Sequence, residues 1–375
     1  MMTAGVGKRA RRVPARRNRI SLYHLVSERP HEDARRLLTD FAARAFRRPV
    51  TDVELEDIVA LVDQKLNQQY TLQEALRVGF QAILCSPEFL FLDERPGPLD
   101  GFALASRLSY FLWSSPPDET LRELAANGTL LQTDVLRGQV ERMLDAPGHR
   151  RFVENFCGQW LDLRRITITQ PDEQLYPEFD SLLLHSMVDE THAFVEQMLA
   201  DDLSIDHLVD SDFAMINSRL AELYGIPDVE GVAIRKVMLP ADCHRGGLLT
   251  QSSLLKVTAN GTTTSPVTRG AWVLDRFLGQ PAPLPPPGIP AVEPDLRGTT
   301  TIREQLARHR SDAACATCHR RIDPPGFALE SYDVIGGWRD RYRSLGEGDE
   351  APAMIRIGRP ARYRLGPVVD PSRVA

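Results

Sequence analysis

A cysteine pair followed at once by a histidine is the feature of this chain with the clearest chemistry. Cys315, Cys318 and His319 stand in the order C-x-x-C-H, which is the attachment pattern of c-type haem. Two cysteines three residues apart lie on one face of a helical turn, so both sulfurs reach the vinyl groups on one edge of a porphyrin. His319 then follows as the iron ligand. We therefore predict one covalent haem c per chain, held by these three residues.

The residues after the motif supply candidates for the surroundings of the haem. A proximal histidine needs an acceptor for its second ring nitrogen, and a carbonyl in the Pro324-Pro325 turn is the predicted acceptor. Phe327 and Tyr332 are predicted to pack against the ring, and Arg339 to hold a propionate in a bidentate contact. The predicted cofactor-binding set therefore includes Pro325, Phe327, Tyr332 and Arg339.

The second axial ligand of the iron is left open by the sequence. Met354 lies downstream of the motif, and a methionine ligand is typical of an electron carrier with a raised potential. His244 and His309 are alternatives. An open position is a further alternative, and it favours ligand binding over electron transfer.

Other interpretations of the motif are weaker. A zinc site needs a second pair of ligands, and the sequence offers only the adjacent Cys243-His244 and the lone His309. A thiol–disulfide centre is typical of a βαβ setting, which the sequence does not predict. A chance match also remains open.

Composition excludes several classes of protein. The chain has 375 residues, of which 42% are hydrophobic and 26% charged, with a formal net charge of −6. These are ordinary globular values, so a fibrous or wholly disordered chain is excluded. A mildly acidic chain lacks the basic footprint of a general nucleic-acid binder, so no nucleic-acid partner is expected. No apolar run reaches the length of a membrane span, so no transmembrane segment is expected.

Hydrophobic periodicity predicts a mainly α fold, a multi-helix scaffold followed by a small loop-rich region that binds haem. Thr51 with Glu54 and Thr71 with Glu74 have the spacing of capping boxes, and Ser265 before Pro266 is typical of a helix start. The predicted parts are listed in chain order: a basic tail without structure (1–27), a small helical domain (28–95), a helical domain (98–227) and a loop-rich domain (228–370) with a proline-rich strap (280–294) and the haem motif (315–319).

One long helix, predicted from Phe179 to Leu199, carries a polar row opposite its apolar face. The row consists of His185, Asp189, His192 and Glu196, whose spacing places them in a narrow arc. Such residues hold metals when several helices contribute ligands, and no matching segment is found. A solvated polar face is therefore the favoured interpretation.

Several long motifs resemble the multidomain proteins of planctomycetes that pair a cytochrome-c-like segment with domain-of-unknown-function families 1595, 1592 and 1588. ARRLLTDFAARAFRRPVTDVEL and GFQAILCSPEFLF resemble the first family. LASRLSYFLWSSPPDETLRELAANGTL and FAMINSRLAELYGI resemble the second. HRGGLLTQSSLLKVTANGTTTSPVTRGAWVLDRF and CATCHRRIDPPGFALESYDVIGGWRDRYR resemble the third.

The resemblance implies a mostly helical, haem-bearing protein that is exported, but it implies no reaction. Such proteins usually begin with an export signal and continue into further domains. We therefore expect this chain to be truncated at both ends, with other cytochrome-bearing domains lost. The intact protein is expected in the periplasm or outside the cell, and the chain as written, which shows no signal peptide, in the cytoplasm.

Three functions compete at this stage, and whether the chain is an enzyme stays open. The first is electron transfer to or from an unidentified redox partner. The second is a haem-linked secreted enzyme, whose substrate, polymeric or not, is contacted by Arg269 and the loop NGTTTSPVTRG. The third is a non-catalytic interaction module or the apo fragment of a split gene.

Overall fold

A computed structural model describes residues 27–92, 96–283, 301–309, 313–353 and 359–369. The described chain is 56% helix and 8% strand, so the predicted mainly α fold is confirmed. None of its helices is long and apolar enough to cross a bilayer. Within the described residues the chain forms two compact units, which divide between residues 111 and 112, between 114 and 115, and between 140 and 141. The division into domains predicted from the sequence stays a prediction.

The described part of the first unit is mostly helical, and the division between the units falls inside two helices, α5 and α7. The helices are α1 (Pro30–Ala45), α2 (Asp52–Asn67), α3 (Leu72–Cys85), α4 (Pro87–Leu90), α5 (Gly101–Trp113), α6 (Glu119–Ala126) and α7 (Thr133–Asp145).

Helices α1 to α3 enclose one apolar core, whose buried residues recur at helical spacing and include Leu38, Val62 and Ile83. The predicted starts of α2 and α3 are confirmed as full capping boxes. The Thr71 hydroxyl accepts from the backbone N–H of Glu74 at 3.3 Å, and the Glu74 carboxylate accepts from the Thr71 N–H at 3.0 Å. Two orphan donors of the first turn are thereby satisfied within four residues of sequence.

The second unit combines helices with two small antiparallel sheets. Its elements are α8 (Arg150–Trp160), α9 (Ser181–Ala200), β1 (Phe213–Ile216), α10 (Ser218–Tyr224), β2 (Arg235–Met238), α11 (Ser252–Val257), α12 (Pro266–Arg276), α13 (Ile302–His309), α14 (Ala313–Ala328), β3 (Arg341–Ser344), β4 (Asp349–Glu350) and β5 (Arg364–Val368). Strand β1 pairs with β2, and β5 lies between β3 and β4. The predicted cap of α12 is confirmed, because the Ser265 hydroxyl accepts from the Thr268 N–H.

Helix α9 shows where periodicity alone was wrong about burial. Its buried residues include Ser186, Glu190 and Thr191 beside the apolar Met187 and Phe194. The core-facing side of the helix therefore carries a polar strip that the apolar pattern does not indicate. This strip faces other polar side chains, since the Thr191 hydroxyl donates to the Gln251 side chain at 2.7 Å.

Some predicted features lie outside the described residues. These are the basic tail except residue 27, most of the proline-rich strap, and Met354. The backbone of Cys315 is described as helical within α14, whereas its side chain and that of His309 lie outside the description.

Candidate functional site

Helix α14 carries the C-x-x-C-H sequence. The backbone is helical from Ala313 to Ala328, so Cys315 and Cys318 lie one turn apart on the same side of the helix. Cys318 is a partly buried thiol that takes part in no disulfide. The spacing that was predicted to place both sulfurs together is therefore compatible with the local structure.

His319 is held by a carboxylate one helical turn further along. Its Nδ1 lies 2.8 Å from Oδ1 of Asp323, and the His319 side chain is only 11% exposed. Asp323 is itself buried. A carboxylate acceptor at Nδ1 favours the proton on that nitrogen and leaves Nε2 as the nitrogen that binds a metal. The pair thus has the arrangement of a metal-binding imidazole with its orienting carboxylate.

The acceptor is not the one predicted from the sequence. Pro324 and Pro325 were predicted to form a turn whose carbonyl meets the histidine, but both lie inside α14. Because the helix continues through the prolines, Asp323 falls four residues after His319 and on the same face. The signal was present in the sequence as this spacing, and the expectation that proline ends a helix concealed it.

Two glycines fix α14 against α12. A Cβ at Gly270 would overlap the carbonyl oxygen of Ile322, and a Cβ at Gly326 would overlap that of Pro266. These pairs show that the two helices run antiparallel with their backbones in contact. The close approach requires glycine at both positions, so the helix that carries His319 has a defined position in the second unit.

Arg269, adjacent to this crossing, is a structural residue. It is 1% exposed, and its guanidinium donates to the backbone carbonyls of Leu329, Tyr332, Asp333 and Leu255 at 2.7 to 3.2 Å. The hypothesis that Arg269 contacts a substrate is therefore wrong. Arg269 belongs to α12, and its hydrogen bonds connect this helix to α11 and to residues 329–333, which follow α14.

The structure places the other predicted cofactor contacts in two surroundings. Phe327 is buried in α14, with the Arg303 guanidinium 4.0 Å from its ring centre. Tyr332 is buried after the helix, and its hydroxyl donates to the His244 carbonyl. Pro325 is partly buried within α14. Their contact with a haem ring stays a prediction.

Arg339 has a partner within the protein. Its Nη2 lies 2.9 Å from Oε1 of Glu330 and 2.7 Å from the Thr264 hydroxyl, and all three side chains are buried. The guanidinium also lies 4.6 Å from the Tyr342 ring centre. These contacts give Arg339 a structural role, and its contact with a haem propionate stays a prediction.

A cavity of about 670 Å³ opens beside the chain that follows α14. Its lining comes from α10, from the segment 240–245 and from the stretch 333–343, and it includes neither Cys318 nor His319. On one wall the rings of His244 and Trp338 stack at 3.8 Å with an angle of 15°. The candidate haem helix and the cavity are thus distinct parts of the second unit, joined by residues 329–332.

Buried charges shape the floor of this cavity. Arg343 lies 2.5 Å from Glu178 and 3.4 Å from Asp333. Burial opposes the charged form of Arg343, but the carboxylates of Asp333 and Glu178 raise its pKa overall. Burial raises the pKa of Asp333 above its ordinary value. Ion pairs of Arg343 with Glu178 and Asp333 therefore hold this part of the cavity lining in a fixed arrangement.

A second buried group, which the sequence did not indicate, lies behind the cavity wall. The Tyr224 hydroxyl donates to Oε2 of Glu190 at 2.5 Å and accepts from the backbone N–H of Ser252 at 3.0 Å. The Arg245 guanidinium lies 3.3 Å from the Tyr224 ring centre. Burial raises the pKa of Glu190 to about 8. The hydrophobic periodicity of α9 did not predict that Glu190 is buried. Its partner Tyr224 lies 34 residues further along the chain.

The described residues include no group of three or more His, Cys, Asp or Glu side chains arranged to hold a metal ion. This applies to the polar row of α9, in which His185 instead approaches the Ser181 carbonyl. Burial lowers the pKa of His192, which is partly buried in the same helix.

Three family models match successive segments of the chain. Residues 33–94 match PSD5, protein of unknown function DUF1595. Residues 99–226 match PSD4, protein of unknown function DUF1592, and residues 245–342 match PSCyt3, protein of unknown function DUF1588. The chain belongs to these planctomycete cytochrome-c-associated domain families. The PSCyt3 segment contains α11 to α14, and with them the C-x-x-C-H sequence.

The predicted resemblance is therefore confirmed, and the family descriptions assign no function. No curated protein and no solved structure matches the chain.

Proposed function

We propose that the PSCyt3 segment is a c-type haem module that transfers electrons. One haem is held by thioether bonds to Cys315 and Cys318, with Nε2 of His319 as an iron ligand. The observation that carries the proposal is the contact of 2.8 Å between His319 Nδ1 and the buried Asp323 carboxylate. A histidine whose Nδ1 is held by a carboxylate, and which directly follows two cysteines with the attachment spacing, supports haem ligation.

The donor set fits the group. Two thiols one turn apart and an imidazole on the same helix are the residues that c-type attachment uses. The bound haem supplies one-electron redox chemistry. Asp323 would orient the imidazole, because its carboxylate accepts the Nδ1 proton. The glycine crossing between α12 and α14 keeps these residues in place.

The proposed attachment also has a consequence for where the protein functions. The thioether bonds require the haem ligation machinery outside the cytoplasm, and both thiols must reach it unpaired. We therefore place the functional protein in the periplasm or outside the cell, where an unidentified redox partner exchanges electrons with it.

The test is secretion of the chain, behind an added export signal, in a host that carries a cytochrome c maturation system. The pyridine haemochrome assay is expected to show one haem per chain. Cys315→Ala with Cys318→Ala is expected to abolish covalent haem. Cys85→Ala and Cys243→Ala serve as matched controls, because they remove thiols elsewhere in the chain and are expected to keep the haem.

Three outcomes contradict the proposal. Folded wild-type protein without covalent haem excludes the attachment, and so does full haem content in the double variant. A spectrum that changes with carbon monoxide would instead indicate an open iron position and contradict simple electron transfer. A six-coordinate spectrum that is unaffected by carbon monoxide is the expected result.

A further inference from the structure

The cavity of the second unit has an exposed aromatic platform. Trp338 is 38% exposed although its ring stacks on His244 at 3.8 Å. The Tyr332 ring meets Trp338 edge-on at 5.2 Å and 82°, and the Tyr332 hydroxyl donates to the His244 carbonyl. His244 thus packs against one face of the Trp338 ring, and Tyr332 packs edge-on against Trp338. A flat apolar surface that is rigid and open to the cavity is suited to stacking on a ligand.

The charges around the platform are balanced. Five arginines and five carboxylates line the cavity, and several of them form ion pairs, such as Arg219 with Glu222 at 3.1 Å and Arg343 with Glu178 at 2.5 Å. An anion site would carry excess positive charge, and a cation site would carry excess negative charge. Neither applies here, so the lining favours a neutral ligand.

The same lining is rich in directed hydrogen-bonding groups. Arginines offer only donors and carboxylates only acceptors, and ion pairs hold Arg219 and Arg343 in fixed positions. A ligand with many hydroxyl groups satisfies both kinds, because each hydroxyl donates and accepts. The apolar C–H face of a sugar ring complements the Trp338 ring in the same ligand.

The cavity volume fits such a molecule. Ligand pockets range from about 300 to 1,000 Å³, and this cavity of about 670 Å³ holds a small oligosaccharide. We propose that it binds a neutral carbohydrate of two or three pyranose units, with Trp338 as the stacking platform. The lining includes neither Cys318 nor His319, so the proposed sugar site does not use these two attachment residues.

The test uses the full chain and a panel of neutral trisaccharides: cellotriose, maltotriose, laminaritriose and tri-N-acetylchitotriose. Isothermal titration calorimetry and tryptophan fluorescence measure binding. At least one sugar is expected to bind at millimolar concentration or below. Trp338→Ala is expected to weaken binding about tenfold, which corresponds to the loss of one aromatic stacking contact. Trp338→Phe is expected to retain most of the affinity.

The control variant is Trp113→Phe. Trp113 is a second tryptophan of the same unit, and its Nε1 donates to the Met143 carbonyl at 2.9 Å, away from the cavity. It is expected to leave sugar affinity unchanged. Haem content of Trp338→Ala is measured alongside and is expected to equal the wild-type value, which separates this proposal from the first.

Three results overturn the proposal. The first is that no neutral sugar of the panel binds to protein that circular dichroism shows to be folded. The second is binding of trigalacturonate or a sulfated disaccharide alone, which would identify an anion site. The third is unchanged affinity in folded Trp338→Ala.

Discussion

The three helices α1 to α3 and the region around α12 to α14 are stabilised in different ways. In the first region the core is apolar and the helix starts are capped by residues three positions away. In the second, buried charged side chains reach backbone groups in distant segments, as Arg269 reaches Tyr332 across 63 residues. The comparison teaches that a helical scaffold can follow from local rules while a site-bearing region depends on long-range polar contacts.

Lys256 illustrates the second kind of stabilisation. Its ammonium donates to the carbonyls of Ile166 and Thr169 at 2.9 and 2.6 Å. Burial lowers the pKa of this lysine to about 8. Together with Arg269 and the Arg339–Glu330 pair, it connects segments whose sequences contain no matching pattern. Removing one member of such a network leaves buried groups unsatisfied, which is costly.

The largest effect is expected for Arg269→Leu. The change removes one side-chain donor from each of four carbonyl oxygens, three of which keep another hydrogen bond, and is expected to lower the free energy of unfolding by about 3 kcal/mol. Urea unfolding followed by circular dichroism measures it. The matched variant Arg36→Leu removes an exposed arginine of α1 and is expected to change stability by less than about 0.5 kcal/mol. Equal losses in the free energy of unfolding for the two variants would contradict the proposed difference between the regions.

The next effect concerns pH. The pKa of Glu190 is raised from 4.5 to about 8 by burial, so the folded chain keeps a proton that the unfolded chain releases. The contribution of Glu190 to stability is therefore complete below pH 4.5 and is lost as the pH rises to about 8. We expect the wild type to lose a few kcal/mol relative to Glu190→Gln across this window.

Urea unfolding of both proteins at several pH values between 4.5 and 8 checks this prediction. Parallel stability curves for wild type and Glu190→Gln would show that the carboxyl does not hold its proton in the folded state. A converging or crossing pair of curves, with the variant gaining as the pH rises, is the expected pattern.

The smallest effect is expected in the first region. Thr71→Ala removes the side-chain acceptor of the Glu74 N–H at the start of α3 and is expected to cost about 1 kcal/mol. Thr39→Ala is the control, because the Thr39 hydroxyl only bonds back to the Arg35 carbonyl within α1. A loss in Thr71→Ala as large as that in Arg269→Leu would show that local capping and long-range networks do not differ in weight.

These contrasts also explain what the sequence predicted. The helix starts at Thr51, Thr71 and Ser265 follow from residue types within one turn, and the structure confirms them. The buried contacts of Glu190 and Arg269 were not predicted, because their partners lie far along the chain and no periodic pattern indicates them.

The candidate site was predictable only in part. The C-x-x-C-H sequence is a local pattern, and its helical setting was expected. The Asp323 contact depended on whether α14 continues through two prolines. That outcome is linked to tertiary packing, since Gly326 lies directly against Pro266 of α12. Local proline rules therefore gave the wrong end for this helix.

The glycine contacts between α12 and α14 also concern the timing of assembly. The contact joins positions such as Gly270 and Ile322, which lie far apart in the chain. During synthesis α12 leaves the ribosome before α14. The surface of α12 around Gly270 therefore has no contact with α14 until the later helix has been made. Closing a longer connecting loop costs only about 0.6 kcal/mol for each doubling of its length. Lengthening the chain between the two helices should therefore weaken the docked state only slightly, by about 0.6 kcal/mol for each doubling.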